Sequence, residues 1–321
     1  MKWLVSSLWL VVIGLWPAFG AQRSGGALSP LYSVSTADPV EPEFQRLMGL
    51  DDAAQEEIDK WIKENNAFQQ KGAGLSEAVL SLKIEQRLAP VKQAYEAFLQ
   101  RHPKHARAQL AFGSFLNDLG EEQEARKRWE KALELDPSNP AAYNNLANSY
   151  GQTGPVAKAF ELYTKAIELN PRQAIYYHNL GSVLVLHQKE AAAHYKISDQ
   201  QVLRNALELY RLGQKFDPTN FQLATDLAQV YYGLQPAEPE AAIAAWTQAL
   251  ALARDGLERE GVHLHLARAK AAAGRLNEAR MHLNSVTNAT LTGVKARLNR
   301  ELVDKALPPP AKDDDRRKSV P

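Results

Sequence analysis

The chain has no cysteine among its 321 residues. That absence excludes disulfides, thiolate metal sites, cysteine nucleophiles and lipidation at cysteine. It leaves the compartment open, because an exported protein with a large helical core does not need disulfides. An excess of charge of one sign is missing too: 38 Lys and Arg stand against 37 Asp and Glu, a formal net charge of +1. A nucleic acid or an anionic membrane recognised by bulk charge calls for a basic stripe, so neither is expected as a partner of that kind. A local patch is not excluded. Glycine (18) and proline (17) are not in excess. The chain is therefore not low-complexity overall, and it is long enough to bury a substantial core.

Catalytic signatures are scarce. There is no G-x-S-x-G, no H-E-x-x-H and no Gly-rich phosphate loop. The segment KGAGLSEA, residues 71–78, lacks the preceding strand and the G-K-[ST] ending of such a loop, and reads as an N-cap turn. Of the eight histidines, His263 and His265 are two apart, so on a helix they point in different directions. His187 and His194 are seven apart and can share a face, but no acidic or thiolate partner stands at ligand spacing. No metal, no cofactor and no catalytic residue is expected. The chain reads as non-enzymatic.

The N-terminus carries the first positive signal. Met1-Lys2 precedes the apolar run Trp3 to Trp16, then Pro17 and the small-residue stretch Ala18-Phe19-Gly20-Ala21. A short basic start, an apolar run and a small-x-small site make residues 1–21 a secretory signal peptide, cleaved after Gly20 or Ala21. The alternative is an uncleaved anchor. It is the weaker reading, because the run falls short of the roughly 20 residues a spanning helix needs and Pro17 interrupts it.

The second signal is a period. Pro103, Pro137 and Pro171 are each 34 residues apart, and Gly120 with Gly154 and Ala125 with Ala159 keep that spacing. Tyr95, Trp129 and Tyr163 continue it, as do Ala132 with Ala166, and Phe112, Leu146 and Leu180. Within one period, Tyr143, Leu146, Ala147 and Tyr150 fall at i, i+3, i+4 and i+7, one apolar face of a helix. Gly154 then turns the chain, Ala159, Tyr163 and Ala166 form a second stripe, and Pro171 stops it. One hairpin cannot hide both stripes, whereas stacked neighbours can. The segment AAYNNLANSYGQTGPVAKAFELYTKAIELNP, residues 141–171, resembles the tetratricopeptide repeat (TPR), a 34-residue helix-turn-helix unit.

That resemblance implies an all-α fold: a right-handed superhelical solenoid of TPR helix-turn-helix repeats with N- and C-terminal capping helices. The organisation then reads as a signal peptide (1–21), a flexible linker (22–43), an N-terminal capping helix (44–71), an array of about six repeats (72–288), a C-terminal capping helix (289–306) and a disordered tail (307–321). The capping helix should turn Trp61 and Phe68 inward, and the first helix of the opening repeat should end at Pro90. Pro171 to Pro218 spans 47 residues, so 13 extra residues sit near 187–199, with Ser198-x-x-Gln201 as a capping box restarting the second helix. Trp129, Tyr163, Tyr210 and Trp246 take the core position of second helices rather than forming a stacking platform.

In TPR arrays the first helices line a concave groove, and some carry an asparagine ladder that bonds an extended peptide. An amide suits that task because it both donates and accepts. By resemblance, the candidate groove residues are Asn145, Asn148, Asn179, His178, Ser182, Thr225, Asp226 and Gln229, while Ala111 and His265 interrupt the ladder column. Ser114, Asn148 and Ser182 replace much of the basic set by which co-chaperone TPRs grip a terminal carboxylate, which disfavours that ligand. The bland alternative is that these amides solvate the groove or cap locally. The leading expectation is a non-catalytic scaffold, similar to bacterial envelope TPR proteins, exported to the periplasm or secreted. It would bind a protein or an extended peptide, with no nucleic acid and no stable membrane insertion after cleavage; a homo-oligomer is compatible. The rival is a self-assembling structural envelope protein using repeat ends or the 187–199 insertion. An enzyme with an unrecognised site is a distant third.

Overall fold

The computed structural model describes residues 39–69 and 72–306. The signal-peptide reading of 1–21, the linker up to residue 38 and the tail 307–321 lie outside the described residues. Among the described residues there are fourteen α-helices and no strand. In chain order they pair as α1 (Glu41–Gln69) with α2 (Glu77–Arg101), α3 (Ala106–Asp118) with α4 (Glu122–Leu135), and α5 (Pro140–Thr153) with α6 (Val156–Leu169). Then come α7 (Ala174–Leu186) with α9 (Asp199–Phe216) and α8 (Gln188–Tyr195) between them, α10 (Phe221–Val230) with α11 (Pro239–Leu252), and α12 (Gly256–Ala272) with α13 (Leu276–Asn284). A 3-10 turn, Ala289–Leu291, leads into α14 (Thr292–Ala306). The helices form two compact units whose boundary, Leu146 to Ala147, falls within α5.

In the first unit the repeat works through a small-against-large contact. Gly113 on α3 faces Trp129 on α4 so closely that an added Cβ would lie 2.5 Å from the indole. Trp129, Ala125 and Ala132 are the buried residues of α4, while its remaining face is charged. Tyr95 stacks on Phe112 with ring centroids 5.1 Å apart, tying α2 to α3, and Phe44 meets Phe98 at 5.8 Å, tying α1 to α2. The apolar stripe of α1 is Phe44, Leu47, Ala54 and Ile58. It is not the expected Trp61 and Phe68. Trp61 is half-buried beneath the Lys83 ammonium, 3.6 Å from its ring centre, and Phe68 is 55 % exposed.

Two N-terminal expectations are corrected. The helix expected to cap the array starts three residues earlier, at Glu41, and pairs with α2 as a hairpin in its own right. The helix expected to end at Pro90 runs through it to Arg101. Proline withholds one N–H, the donor that would reach the carbonyl four residues back. Here both Pro90 and Gln86 are exposed, so water can satisfy that carbonyl and the helix continues. Ser76 caps the start of α2 by accepting from the Val79 N–H at 3.4 Å, as the N-cap turn required.

The second unit repeats the device. Gly181 on α7 faces Tyr210 on α9, where a Cβ would come within 2.7 Å of the phenol ring. Ala147 occupies the same column, fully buried with Ala159, Phe160 and Tyr163. Gly154 serves a different need from the left-handed turn its position suggests. Its φ is not positive, and a Cβ would meet the Tyr150 ring at 2.6 Å. Gly120 and Gly274, by contrast, end α3 and α12 in the left-handed region, at φ 77° and 75°.

The extra residues near 187–199 build α8, which buries Ala191 and places His194 5.5 Å from Phe160, centroid to centroid. His187 instead bonds the Gly151 carbonyl at 3.0 Å, so His187 and His194 serve different neighbours. Ser198 accepts from the Gln201 N–H at 3.2 Å, while the Gln201 side chain turns to Asn205 at 2.9 Å. Only the forward half of the capping box forms. At the end, α14 buries Leu298 and Leu302 against Leu264, Ala279 and Leu283.

The glycine columns make opposite predictions at two sites. Gly113→Ala forces its methyl into Trp129 and should destabilise by about 1–3 kcal/mol. Gly261, inside α12, has nothing within 4 Å of an added Cβ, so Gly261→Ala should stabilise by about 0.5–1 kcal/mol. Urea unfolding of the two variants measures both, and equal effects would refute the close-contact account.

Candidate functional site

The candidate groove residues sit on first helices, Asn145 in the first unit and the others in the second. Asn145, Asn179, Asp226 and His265 hold equivalent places on α5, α7, α10 and α12. Each reaches back to the preceding hairpin. In the first unit the Asn145 amide donates to Ser114 Oγ on α3 at 3.1 Å, and Asn144 donates to Asn145 Oδ1 at 3.4 Å. In the second unit the Asn179 amide donates to Asn148 Oδ1 on α5 at 3.3 Å. Asp226 accepts from His178 Nε2 on α7 at 2.6 Å, a carboxylate having only lone pairs to offer. His265 Nδ1 shares a hydrogen bond with the Tyr232 hydroxyl, just after α10, at 3.1 Å.

Second helices brace the same positions from beneath. The Tyr163 hydroxyl of α6 donates to Asn148 Oδ1, and Tyr210 of α9 shares a hydrogen bond with Ser182 Oγ at 3.0 Å. Burial drives the hydroxyl pKa of both tyrosines well above the usual phenol range. The core tyrosines thus carry a polar task as well as a packing one. Nothing in the helical period announces it, because a phenylalanine would fill the same column.

Burial divides the candidates. Asn145, Asn148, Asn179, Ser182 and Gln229 are half-buried and keep an open side. His178, Thr225 and Asp226 are 6 %, 8 % and 8 % exposed and belong to the interior of the stack. Thr225 donates to the Gln222 carbonyl at 2.8 Å, and Gln222 donates to the second Asp226 oxygen at 2.9 Å. These three are interior polar groups rather than surface for a guest, and the buried His178–Asp226 pair is the reason. A cavity of about 220 Å³ opens beside them, at the starts of α7 and α10, lined by Arg172, Ile175, His178, Phe216, Asp217 and Asn220. Its donors (Arg172 and the start of α7, which Gln173 leaves without a side-chain cap) and its Asp217 acceptor suit a polar group with both functions. Among the described residues no group of three or more His, Asp or Glu converges as a metal would require.

With the hairpins and the column described, the class is plain: stacked helix-turn-helix repeats. Family models described as TPR repeat and tetratricopeptide repeat match residues 113–154 and 140–173. Residues 113–173 are tetratricopeptide repeats. The peroxisomal targeting signal receptor of Komagataella phaffii is 40 % identical over 81 residues, 25 % of this chain; the same holds for its counterpart in Komagataella pastoris. The match spans only 12 % of the length of these curated relatives. Among solved structures, YrrB, a TPR protein with an unusual peptide-binding site, is similar at a TM-score of 0.52 and 15 % identity, over 65 % of this chain and 99 % of that one. PilF of Pseudomonas aeruginosa is similar at a TM-score of 0.52 and 16 % identity, over 78 % and 99 %. Both likenesses concern the fold.

Two outcomes follow from the column. Asn179→Ala removes one inter-hairpin hydrogen bond and should cost about 0.5–1.5 kcal/mol, whereas Asp226→Ala leaves the buried His178 Nε2 without its acceptor and should cost about 1–3 kcal/mol. Denaturant melts of the two variants rank them. Acid should also weaken the fold. Burial, then Arg268, lower the His265 pKa from 6.5 to about 4, and burial lowers those of His263 and His282 as well. The unfolded chain therefore binds these protons first, and stability falls as pH drops below 6.5. His265 alone should contribute roughly 3 kcal/mol of that loss by pH 4. Unfolding free energies at pH 7 and pH 5 should fall in that order for the natural chain, with a shallower slope in His265→Gln.

Proposed function

We propose that the chain is a non-catalytic interaction scaffold that receives an extended peptide or protein segment along its first helices. The observation that carries this reading is the half-exposed polar column, Asn145 in the first unit and Asn148, Asn179, Ser182 and Gln229 in the second. Asn145, Asn148, Asn179 and Ser182 are held in place by internal bonds, and amides so fixed meet a peptide backbone with little further loss of freedom. The tetratricopeptide repeats and the named role of the Komagataella relative as a targeting signal receptor support a protein ligand. The near-neutral charge balance favours a ligand read by amides and shape over one read by charge. Among the described residues no helix is long and apolar enough to cross a membrane.

The reading places the protein outside the cytoplasm, in the periplasm or secreted, on the strength of the leader-like residues 1–21. N-terminal sequencing of protein from its native cells should begin at Ala21 or Gln22; a start at Met1 would contradict export by cleavage. A second reading, self-association, is favoured by the exposed Phe68, Val79 and Leu82 of the α1–α2 hairpin, each at least half exposed. Sedimentation across micromolar concentrations separates it from the first, since a persistent monomer excludes it.

The peptide reading is tested by selecting binders from a random peptide array and measuring their affinity by fluorescence anisotropy. Asn179→Ala combined with Gln229→Ala should weaken binding at least tenfold while far-ultraviolet circular dichroism stays unchanged. Undiminished affinity with an intact fold would remove the column from the site.

A further inference from the structure

Asn148, on the part of α5 that belongs to the second unit, has its carbonyl oxygen fully engaged. The Tyr163 hydroxyl of α6 donates to Oδ1, and the Asn179 amide of α7 donates to the same atom at 3.3 Å. An amide oxygen has two lone pairs, so this one is full. The Asn148 NH₂ group has no partner among the described residues, and the side chain is half-buried. What it offers to the open side is therefore a donor. Turning the amide over would set its NH₂ against the NH₂ of Asn179, donor to donor. The Tyr163 ring is 3 % exposed and packed with Ala147, Ala159 and Phe160, which keeps its hydroxyl in place. Ser182, the equivalent residue one repeat on, shares its bond with the Tyr210 hydroxyl at 3.0 Å. A hydroxyl can donate or accept there, so no such polarity is imposed.

We propose that Tyr163 is a positioning residue that fixes Asn148 as a hydrogen-bond donor toward the ligand, so that a bound peptide must place a backbone carbonyl against it. The inference rests on the peptide reading for its ligand and narrows it. A free asparagine would accept an N–H as readily as it donates to a carbonyl. Here an incoming N–H meets another donor, and both groups lose their water without gaining a partner. Selection at this point thus works by penalty as well as by attraction. Tyr163 touches no ligand itself; it acts through the amide above it. An acidic side chain of the ligand carries the same acceptor chemistry, and the experiment separates the two sources.

The test uses the full chain and a peptide selected from the random array. Asn148→Asp keeps both internal bonds, because a carboxylate accepts from Tyr163 and Asn179, but it turns an acceptor outward. It should weaken binding at least tenfold with the circular dichroism unchanged. Binding as tight as that of the natural chain, or tighter, would show that the ligand donates there and overturn the proposal. Tyr163→Phe should weaken binding about three- to tenfold, the worth of one neutral hydrogen bond. Peptides with one carbonyl oxygen exchanged for sulfur, a poorer acceptor, locate the contact. One position should lose affinity for the natural chain, lose nothing further in Asn148→Ala, and lose less in Tyr163→Phe, a change that altered packing alone would not produce. Coupling of Asn148 to an Asp or Glu of the peptide instead, or undiminished affinity and discrimination in Tyr163→Phe, would overturn it. A ligand-free measurement separates this inference from the peptide reading. In ¹⁵N NMR of the free protein the Asn148 NH₂ protons should exchange rapidly with water; if no peptide binds, the peptide reading falls, while NH₂ protons protected until Tyr163→Phe releases them would refute the fixed donor itself.

Discussion

The architecture depends on how closely a first helix can approach its own second helix. Where Gly113 meets Trp129, and Gly181 meets Tyr210, the glycine lets backbone and ring surface touch. Dispersion is short-ranged, so a gap of an ångström would forfeit much of it. The tight approach buries the aromatic ring nearly completely, and burial of that ring is the largest hydrophobic gain a hairpin makes. Each hairpin still leaves a second stripe uncovered. Its neighbour must cover it, and the array follows from that requirement.

Close packing also dictates the polar chemistry. Once Tyr163 and Tyr210 lie flat under the first helices, their hydroxyls are buried and need partners. Asn148 and Ser182 supply them. The next hairpin then adds Asn179 to Asn148 and Asp226 to His178. The same side chains that offer amide edges outward are thus fastened from within. In the proposed role, such prior fastening would reduce the entropy lost on receiving a flexible, extended ligand.

Much of this was legible in the sequence, because a fixed period exposes itself. The 34-residue columns marked the helices from α3 to α7, the core aromatics and the surplus near 187–199, and Ser198 marked where α9 restarts. The N-terminal hairpin was less legible for a physical reason. Pro90 is normally a helix terminator, yet its effect depends on whether the orphaned carbonyl faces water, and sequence does not show that. Phe68 shows the same limit, since an amphipathic helix of 29 residues offers more apolar side chains than its neighbour can cover. The asparagine column was found, but its inward bonding was not, because the partners lie 31 residues away on another hairpin.

The helix that carries Pro90 has one further property. Its ladder lacks a rung at Gln86, on the side turned to solvent. The stretch before the gap, from Glu77, buries little, while the stretch after it holds Val91, Tyr95, Phe98 and Leu99. Tyr95 is further secured by its hydroxyl on Asp51 at 2.6 Å. The two halves are therefore unequally anchored on either side of a missing link. The leading half is tied to α1 by polar contacts, Lys83 over Trp61 and Arg87 on Glu57, and the trailing half by buried rings, so salt would loosen the first before the second.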